Sequence, residues 1–305
     1  MLKLPKYFRY FKCFCLGSHP VYVKFGIALL SLLLSFEISA VTFRSSIDDA
    51  KWELEASKFS CRLSQVIPSF GNAEFEREAG EDLRFTLKPT ENIHFSAGAK
   101  LVAEAAPWQP GISPRFIGSY KPEELTGYLQ VKPKQAKNML AALYKGMMPT
   151  FTSPEWYGTN ESLRVAVSAV NFQSAYDDYV LCTTGLLPVN FRQVARTAVL
   201  FPSAQWRLSD ASRERLDLIA LYVKNDDSVK GIYIDGHSDS QGRRLMNRDM
   251  SKRRAEEVTA YLISIGLDPN MITTRYHGER YPVVPNNSKK NRDRNRRVTI
   301  RLEKE

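Results

Sequence analysis

At 305 residues, 43% of them hydrophobic and 25% charged, the chain has room for two domains of ordinary size. Its formal charge of +10 is unevenly spread: residues 1–40 carry five Lys/Arg against one acid, residues 41–190 fifteen against seventeen, and residues 191–305 twenty-three against fifteen. That excludes a uniformly basic chain. The positive C-terminal part asks for an acidic partner, either nucleic acid or an anionic polymer of the cell envelope.

The first segment separates these two. Phe25 to Phe36, FGIALLSLLLSF, is an apolar run of twelve residues between Lys24 and Ile38-Ser39-Ala40. It has the length of a signal-peptide core and falls short of the ~20 residues that span a bilayer. Residues 1–40 are therefore expected to be a signal peptide cleaved after Ala40, with an uncleaved anchor as the alternative. No Cys follows the run, so a lipoprotein signal is set aside. Export places the product in the periplasm and argues against nucleic acid as partner. Cys13 and Cys15 leave with the leader, and Cys61 and Cys182 remain. In an oxidising compartment such a pair is expected to form a disulfide, the alternative being two buried thiols.

Residues 41–187 read as a β-rich domain. Trp52-Glu53-Leu54, Leu83 to Leu87 and the longer run Leu163 to Val170 alternate in the manner of strands, with Pro-rich turns at Ala106 to Gly111. A helix is expected over Pro133 to Tyr144, with Ala136, Met139, Leu140 and Leu143 on one stripe. Leu186-Leu187-Pro188 ends the domain, since Pro breaks the local pattern.

Residues 188–305 alternate regularly. Val194 to Phe201 reads as a strand, and Ser209 as the N-cap of a helix burying Leu216, Ile219, Ala220 and Val223. Ile232 and Ile234 alternate with Tyr233 and Asp235 in a second strand, which the polar, Gly-bearing run Gly236 to Gly242 ends. A long basic helix follows, with Ala255, Val258, Leu262 and Ile265 on its apolar stripe. Strands at Ile272 to His277 and Arg297 to Leu302 close the chain, and in the last one Arg297, Thr299 and Arg301 are expected to share a solvated face. The whole is an α+β chain: a β-rich N-terminal domain, then a βαβαββ two-layer domain with helices on one face of a sheet.

The strand–loop–helix hairpin can bring Asp239 and Arg254 to the mouth of one pocket, an acid facing a guanidinium. Gly236-His237-Ser238-Asp239, Gly242, Asn247, Met250-Ser251 and Arg254-Ala255 resemble the OmpA-like peptidoglycan-binding domain, whose pattern runs GHTDxxGxxxxNxxLSxxRA. Gly278-Glu279, Pro282, Asn286, Arg292 and Asn295-Arg296-Arg297-Val298 continue the likeness. Three positions depart from it: Ser238 for Thr, Met250 for Leu, and Asn291, in a loop, for Gly. The resemblance implies a clamp on diaminopimelate of the peptidoglycan stem peptide. Asp239 would accept from its ammonium, and Arg254 would hold its carboxylate with two parallel hydrogen bonds. The bland alternative is an Asp239–Arg254 salt bridge that ties loop to helix. Asn247 is expected to cap the helix or to bond the peptide, and Ser238 and Arg296 complete the expected binding set. His237 and Asp239 form an H-x-D pair, but four His in the chain leave no second cluster, so neither a metal nor another cofactor is expected. No carboxylate pair or nucleophile signature points to an enzyme.

The N-terminal half carries a second likeness. Ser46-Ile47-Asp48, Trp52-Glu53-Leu54, Cys61-Arg62-Leu63-Ser64, Ile67-Pro68, Gly71 to Phe75, Ala79-Gly80, Ala106-Pro107-Trp108, Val170-Asn171-Phe172 and Cys182 with Leu186-Leu187-Pro188 resemble the MotY family of flagellar motor proteins. That resemblance implies association of the N-terminal domain with the flagellar basal body. It also implies partnership with MotX in a periplasmic T ring, and stator units of the PomA/PomB type held around the rotor. The C-terminal domain would anchor the assembly to the wall. A general envelope protein tethering outer membrane to wall is the alternative.

Overall fold

The computed structural model describes residues 40–90, 95, 97–121, 127–155 and 161–305. The expected leader lies outside these, apart from Ala40, which opens the first strand.

Two five-stranded sheets build the N-terminal part. One holds β2 (Trp52–Ala56), β3 (Ser60–Ile67), β4 (Gly71–Glu78), β5 (Arg84–Pro89) and β8 (Leu129–Val131), in that spatial order and antiparallel throughout. The other runs β1 (Ala40–Arg44), β10 (Ser162–Ala166), β9 (Met148–Ser153), β6 (Ala99–Glu104) and β7 (Arg115–Tyr120), with β1 parallel to β10. The period-2 pattern sets the inner faces: Cys61, Leu63 and Ile67 of β3 and Phe85 and Leu87 of β5 are fully buried. Phe85 stacks on Phe151 of the other sheet at 5.8 Å, so the two sheets share one core. Burying each such ring contributes about 2–3 kcal/mol.

Helix α1 (Pro133–Tyr144) has the expected bounds. Pro133 starts it where a missing N–H costs nothing, and Gly146, at φ +77°, stops it. There Gly146 N donates to Leu143 O and Met147 N to Ala142 O, a left-handed cap that glycine permits. Helix α2 (Phe172–Thr184) is new to the sequence reading, and β10 ends at Ala166 where a strand to Val170 was expected. The reason is Ser168. Its N–H donates to Gln65 Oε1 and its carbonyl accepts from Gln65 Nε2 and Trp52 Nε1, so side chains take the place of a strand neighbour. Cys61 on β3 and Cys182 on α2 form the expected disulfide, Cα to Cα 6.0 Å.

The C-terminal part begins with a single helical turn, α3 (Phe191–Val194), closed by a capping box between Asn190 and Gln193. This displaces the start of the expected strand to β11 (Arg196–Leu200). Then follow α4 (Asp210–Asn225), capped by Ser209 as expected, β12 (Val229–Gly236), α5 (Arg244–Ser264), β13 (Ile272–Tyr276), a short α6 (Lys289–Asn295) and β14 (Arg297–Lys304). The sheet order is β11-β14-β12-β13, and α5 is the crossover that makes β12 and β13 parallel. Leu216, Ile219 and Ala220 of α4 and Ala255, Val258 and Leu262 of α5 share one core with Ile232, Ile234, Val298 and Ile300 of the sheet. The α+β class and the two-layer C-terminal architecture stand as read, with α3 and α6 added.

Two local expectations are corrected. Asn291 lies in α6 rather than in a loop, its N–H accepted by the Ser288 hydroxyl at 3.1 Å, so helical backbone replaces any need for glycine. Arg297 is buried rather than solvated, because the segment at Tyr281 covers it and accepts from its guanidinium at 3.1 Å. Contacts also join the two parts of the chain. Phe59 packs on Tyr222 at 5.4 Å, Asn190 donates to Ala79 O at 3.2 Å, and Arg192 pairs with Glu81 at 2.7 Å.

Candidate functional site

The chain leaving β12 is fixed before any side chain acts. His237 N donates to Arg297 O at 2.8 Å and Ser238 N to Gly278 O at 2.9 Å, pinning the segment between the start of β14 and the end of β13. Gly236 lets α5 approach closely: a Cβ there would sit 2.2 Å from Ser251 O and 3.0 Å from Ala255 Cβ. Gly242, at φ +97°, turns the chain into α5.

Asp239, Arg254 and Arg296 come together as one buried group. The Asp239 carboxylate accepts from Arg296 Nη1 at 2.6 Å and from Gln241 N at 3.1 Å. Arg296 also donates to Phe201 O and pairs with Asp293. Arg254 makes no ion pair with Asp239. It donates instead to three carbonyls, Gln205 O at 2.9 Å, Pro202 O at 3.1 Å and His237 O at 3.4 Å, and lies over the Phe201 ring. Salt-bridging of loop to helix by Asp239 and Arg254 is thus not the arrangement present.

The electrostatics follow from this. Arg254 is 1% exposed, and burial, with Arg296 as a neighbouring cation, lowers its pKa to about 10. It stays charged at neutral pH with no carboxylate bonded to it. Three of its five N–H groups are used and two remain, which is what a bidentate carboxylate requires. Asp239 accepts two bonds of the four its oxygens allow, which leaves room for an ammonium.

The other expected residues are nearby in different roles. Ser238 is buried, and its hydroxyl donates to the Asp239 carbonyl at 2.9 Å. Asn247 is not the helix cap: Arg243 holds that position, without a side-chain cap bond, and Asn247 Nδ2 donates to Glu279 Oε2 at 2.7 Å. His237 stacks on His277 at 5.1 Å, and its buried Nδ1 has no hydrogen-bond partner. Burial first, then Arg297 and His277, lower its pKa to about 4, so it is neutral at pH 7. The sequence reading missed Pro202, Gln205 and Asp293, and named Glu279 only within the family pattern, without its bond to Asn247. The first two act through carbonyls, which leave no side-chain signature. Among the described residues, no group of three or more His, Cys, Asp or Glu gathers as a metal site.

The sodium-type flagellar protein MotY of Vibrio parahaemolyticus is 31% identical to this chain over 280 residues, covering 90% of the chain and 95% of the relative. The chain belongs to the MotY family. The model of the MotY N-terminal domain matches residues 43–188, and that of the OmpA family matches residues 200–296, which hold the whole Asp239–Arg254–Arg296 group. Outer membrane protein A of Bordetella avium is 35% identical over 115 residues, 38% of the chain and 59% of that relative, so the chain spans about three fifths of its length. Among solved structures, the peptidoglycan-associated lipoprotein of Burkholderia pseudomallei aligns with 35% of this chain and 89% of its own at 24% identity and a TM-score of 0.33. The two MotY-like cysteines are the pair that forms the disulfide. Trp52 and Phe172, from two MotY-like segments, meet edge to face at 5.0 Å.

Proposed function

We propose that this chain is a non-enzymatic, wall-anchored component of the flagellar motor, acting in the periplasm. Residues 188–305 grip peptidoglycan, and residues 41–187 associate with the basal body and MotX in a T ring that holds PomA/PomB-type stator units around the rotor. The observation that carries the motor assignment is likeness to a flagellar MotY across 90% of the chain, including the N-terminal half that a general envelope tether would not need. The wall assignment rests on the buried Arg254, charged and without a carboxylate, beside the Asp239 carboxylate. Together they match the two charges on the diaminopimelate side chain. Individual wall contacts are weak, but a network polymer offers many, and they act together through multivalency. No helix among the described residues is long and apolar enough to cross a membrane.

Swimming of a deletion strain tests this reading. Cells should keep normal filaments that fail to rotate. The wild-type chain should restore swimming, and the double variant Asp239→Asn/Arg254→Lys should not. Deleted cells that swim normally but leak periplasm or bleb would replace the motor reading with the tether.

A further inference from the structure

The four-stranded sheet of the C-terminal part is covered by helices on one face only. Helices α4 and α5 bury Val199, Ile232, Ile234 and Ile300. Strand alternation leaves Arg196, Ala198 and Leu200 of β11, Thr299 and Arg301 of β14 and Tyr233 of β12 on the other face. Arg196 stands directly opposite Arg301 in the antiparallel β11–β14 register. Like charges in that position repel and weaken a sheet. Among the described residues no carboxylate relieves them: Arg301 lies over the Tyr233 ring at 4.5 Å, and Arg196 is exposed without an ion pair. The acids of the same face are taken, Asp235 by Arg275 at 2.8 Å and Glu303 by the Tyr233 hydroxyl. Leu200, on the same face, is 53% exposed. A pair that breaks a local rule with no gain inside the chain points to a contact made outside it.

A matching surface lies on α2. That helix packs on α1, β2 and β3, burying Phe172 and Tyr179, and turns Asp177, Asp178, Val180 and Leu181 outward. Among the described residues neither aspartate has an ion-pair or hydrogen-bond partner, and Leu181 is 70% exposed. The spacings correspond. Asp177 to Leu181 is about 6 Å along a helix, and Arg196 to Ala198 is about 7 Å along a strand. With the acids over Arg196 and Arg301, Leu181 reaches Ala198 and the exposed Leu200. We propose that α2 of a second copy of this chain lies on the open sheet face, Asp177 and Asp178 pairing with Arg196 and Arg301. The two faces differ, so each copy keeps one of each free, and the contact continues from copy to copy into a ring or a filament. The inference goes beyond the motor reading and does not require it. One helix on one sheet face is at the small end of specific interfaces, so the contact is weak, and its charged pairs make it sensitive to salt.

Sedimentation of the purified chain between about 1 and 100 μM tests this. Wild type should gain mass with concentration at low salt and lose that gain at about 1 M salt, where charges are screened beyond ~3 Å. Arg196→Glu/Arg301→Glu and Asp177→Arg/Asp178→Arg should each stay monomeric, and the chain carrying all four substitutions should associate again. Single Arg196→Glu separates fold from contact. It sets a carboxylate opposite Arg301, so its urea midpoint should be at or above that of wild type while association weakens about tenfold. Stem-peptide affinity should be unchanged in every variant, which keeps a failure of this inference apart from a failure of the wall-binding reading. A wild-type chain that is monomeric throughout, association that survives either pair of substitutions, or no recovery in the fourfold variant overturns the inference. So does binding of wild type to phosphatidylglycerol vesicles, lost in Arg196→Glu/Arg301→Glu, without self-association: the face then takes a lipid surface.

Discussion

Arg296 donates to Asp239 at 2.6 Å, and both side chains are less than a tenth exposed. This buried pair, not one between Asp239 and Arg254, is what closes the strand–loop–helix hairpin onto the start of β14. Removing one member of a buried pair strands the other in low dielectric, at about 3–5 kcal/mol. Asp239→Ala is therefore expected to lower unfolding free energy by that order as well as to abolish peptide binding. Urea unfolding beside a stem-peptide titration measures both; a variant as stable as wild type would mean that Arg296 finds full compensation in Asp293.

Arg254→Lys separates charge from geometry. The ammonium keeps the positive charge but cannot offer two parallel donors or satisfy all three carbonyls that Arg254 now holds. Stem-peptide affinity is expected to fall at least about tenfold, with a stability loss of about 1–3 kcal/mol for unsatisfied carbonyls. Wild-type affinity in this variant, measured by titration, would remove Arg254 from the binding set.

His237 gives the site an acid limit. Its pKa falls from 6.5 in the unfolded chain to about 4 in the fold, under burial and the nearby Arg297 and His277, with Asp235 opposing. Between those values the unfolded state binds more protons, so stability rises with pH there and is lost as pH falls from 6.5 towards 4. The loss attributable to His237 is on the order of 1–3 kcal/mol. His237→Phe keeps a ring against His277 and removes the titration. Its urea-unfolding free energy should vary less between pH 6.5 and 4 than that of wild type, and an identical slope would reject the assignment.

What the sequence disclosed, and what it did not, follows from the kind of signal each element carries. Helices α1 and α4 were legible because a stripe and a punctuation mark agree: Pro133 opens one, Ser209 the other. Helix α2 was overlooked although Phe172, Tyr176, Tyr179 and Cys182 recur every three or four residues. The alternation of Leu163 to Val170 ran on past the point where Gln65, over a hundred residues away, captures the Ser168 backbone. At the site, Asp239, Arg254 and Arg296 were legible as residues but not as partners. The Asp239–Arg296 bond joins residues 57 apart, and Arg254 is held by carbonyls that any residue would supply. Arg297 read as solvated because strand alternation carries no information about a loop folding over the strand end.

Gly236 tests how far the site depends on helix packing. With Ser251 O only 2.2 Å from a modest Cβ, Gly236→Ala forces α5 away from β12. Overpacking of this kind costs about 1–3 kcal/mol. Because Arg254 rides on the displaced helix and Asp239 on the strand end, peptide binding should weaken more than stability alone accounts for. Titration at a temperature where the variant is fully folded measures that; unchanged affinity would show that loop and helix adjust independently.

The Cys61–Cys182 disulfide closes a loop of 121 residues that takes in most of the N-terminal core and leaves the Asp239–Arg254–Arg296 group outside. A cross-link of that length restrains the unfolded chain by about 4–5 kcal/mol in the chain-entropy model. The folded state does not rely on the bond alone, since Phe172 and Tyr179 of α2 are themselves buried in the core. Reduction, or Cys61→Ser with Cys182→Ser, is therefore expected to lower the unfolding midpoint strongly while stem-peptide affinity, read under folding conditions, stays at the wild-type value. Non-reducing electrophoresis gives the first check: mobility should shift on reduction, and an unchanged band with two alkylatable thiols would reject the bond. Loss of peptide binding in the folded double variant would carry a different meaning, namely that contacts such as Phe59 on Tyr222 and Arg192 on Glu81 transmit the state of the N-terminal core to the wall site.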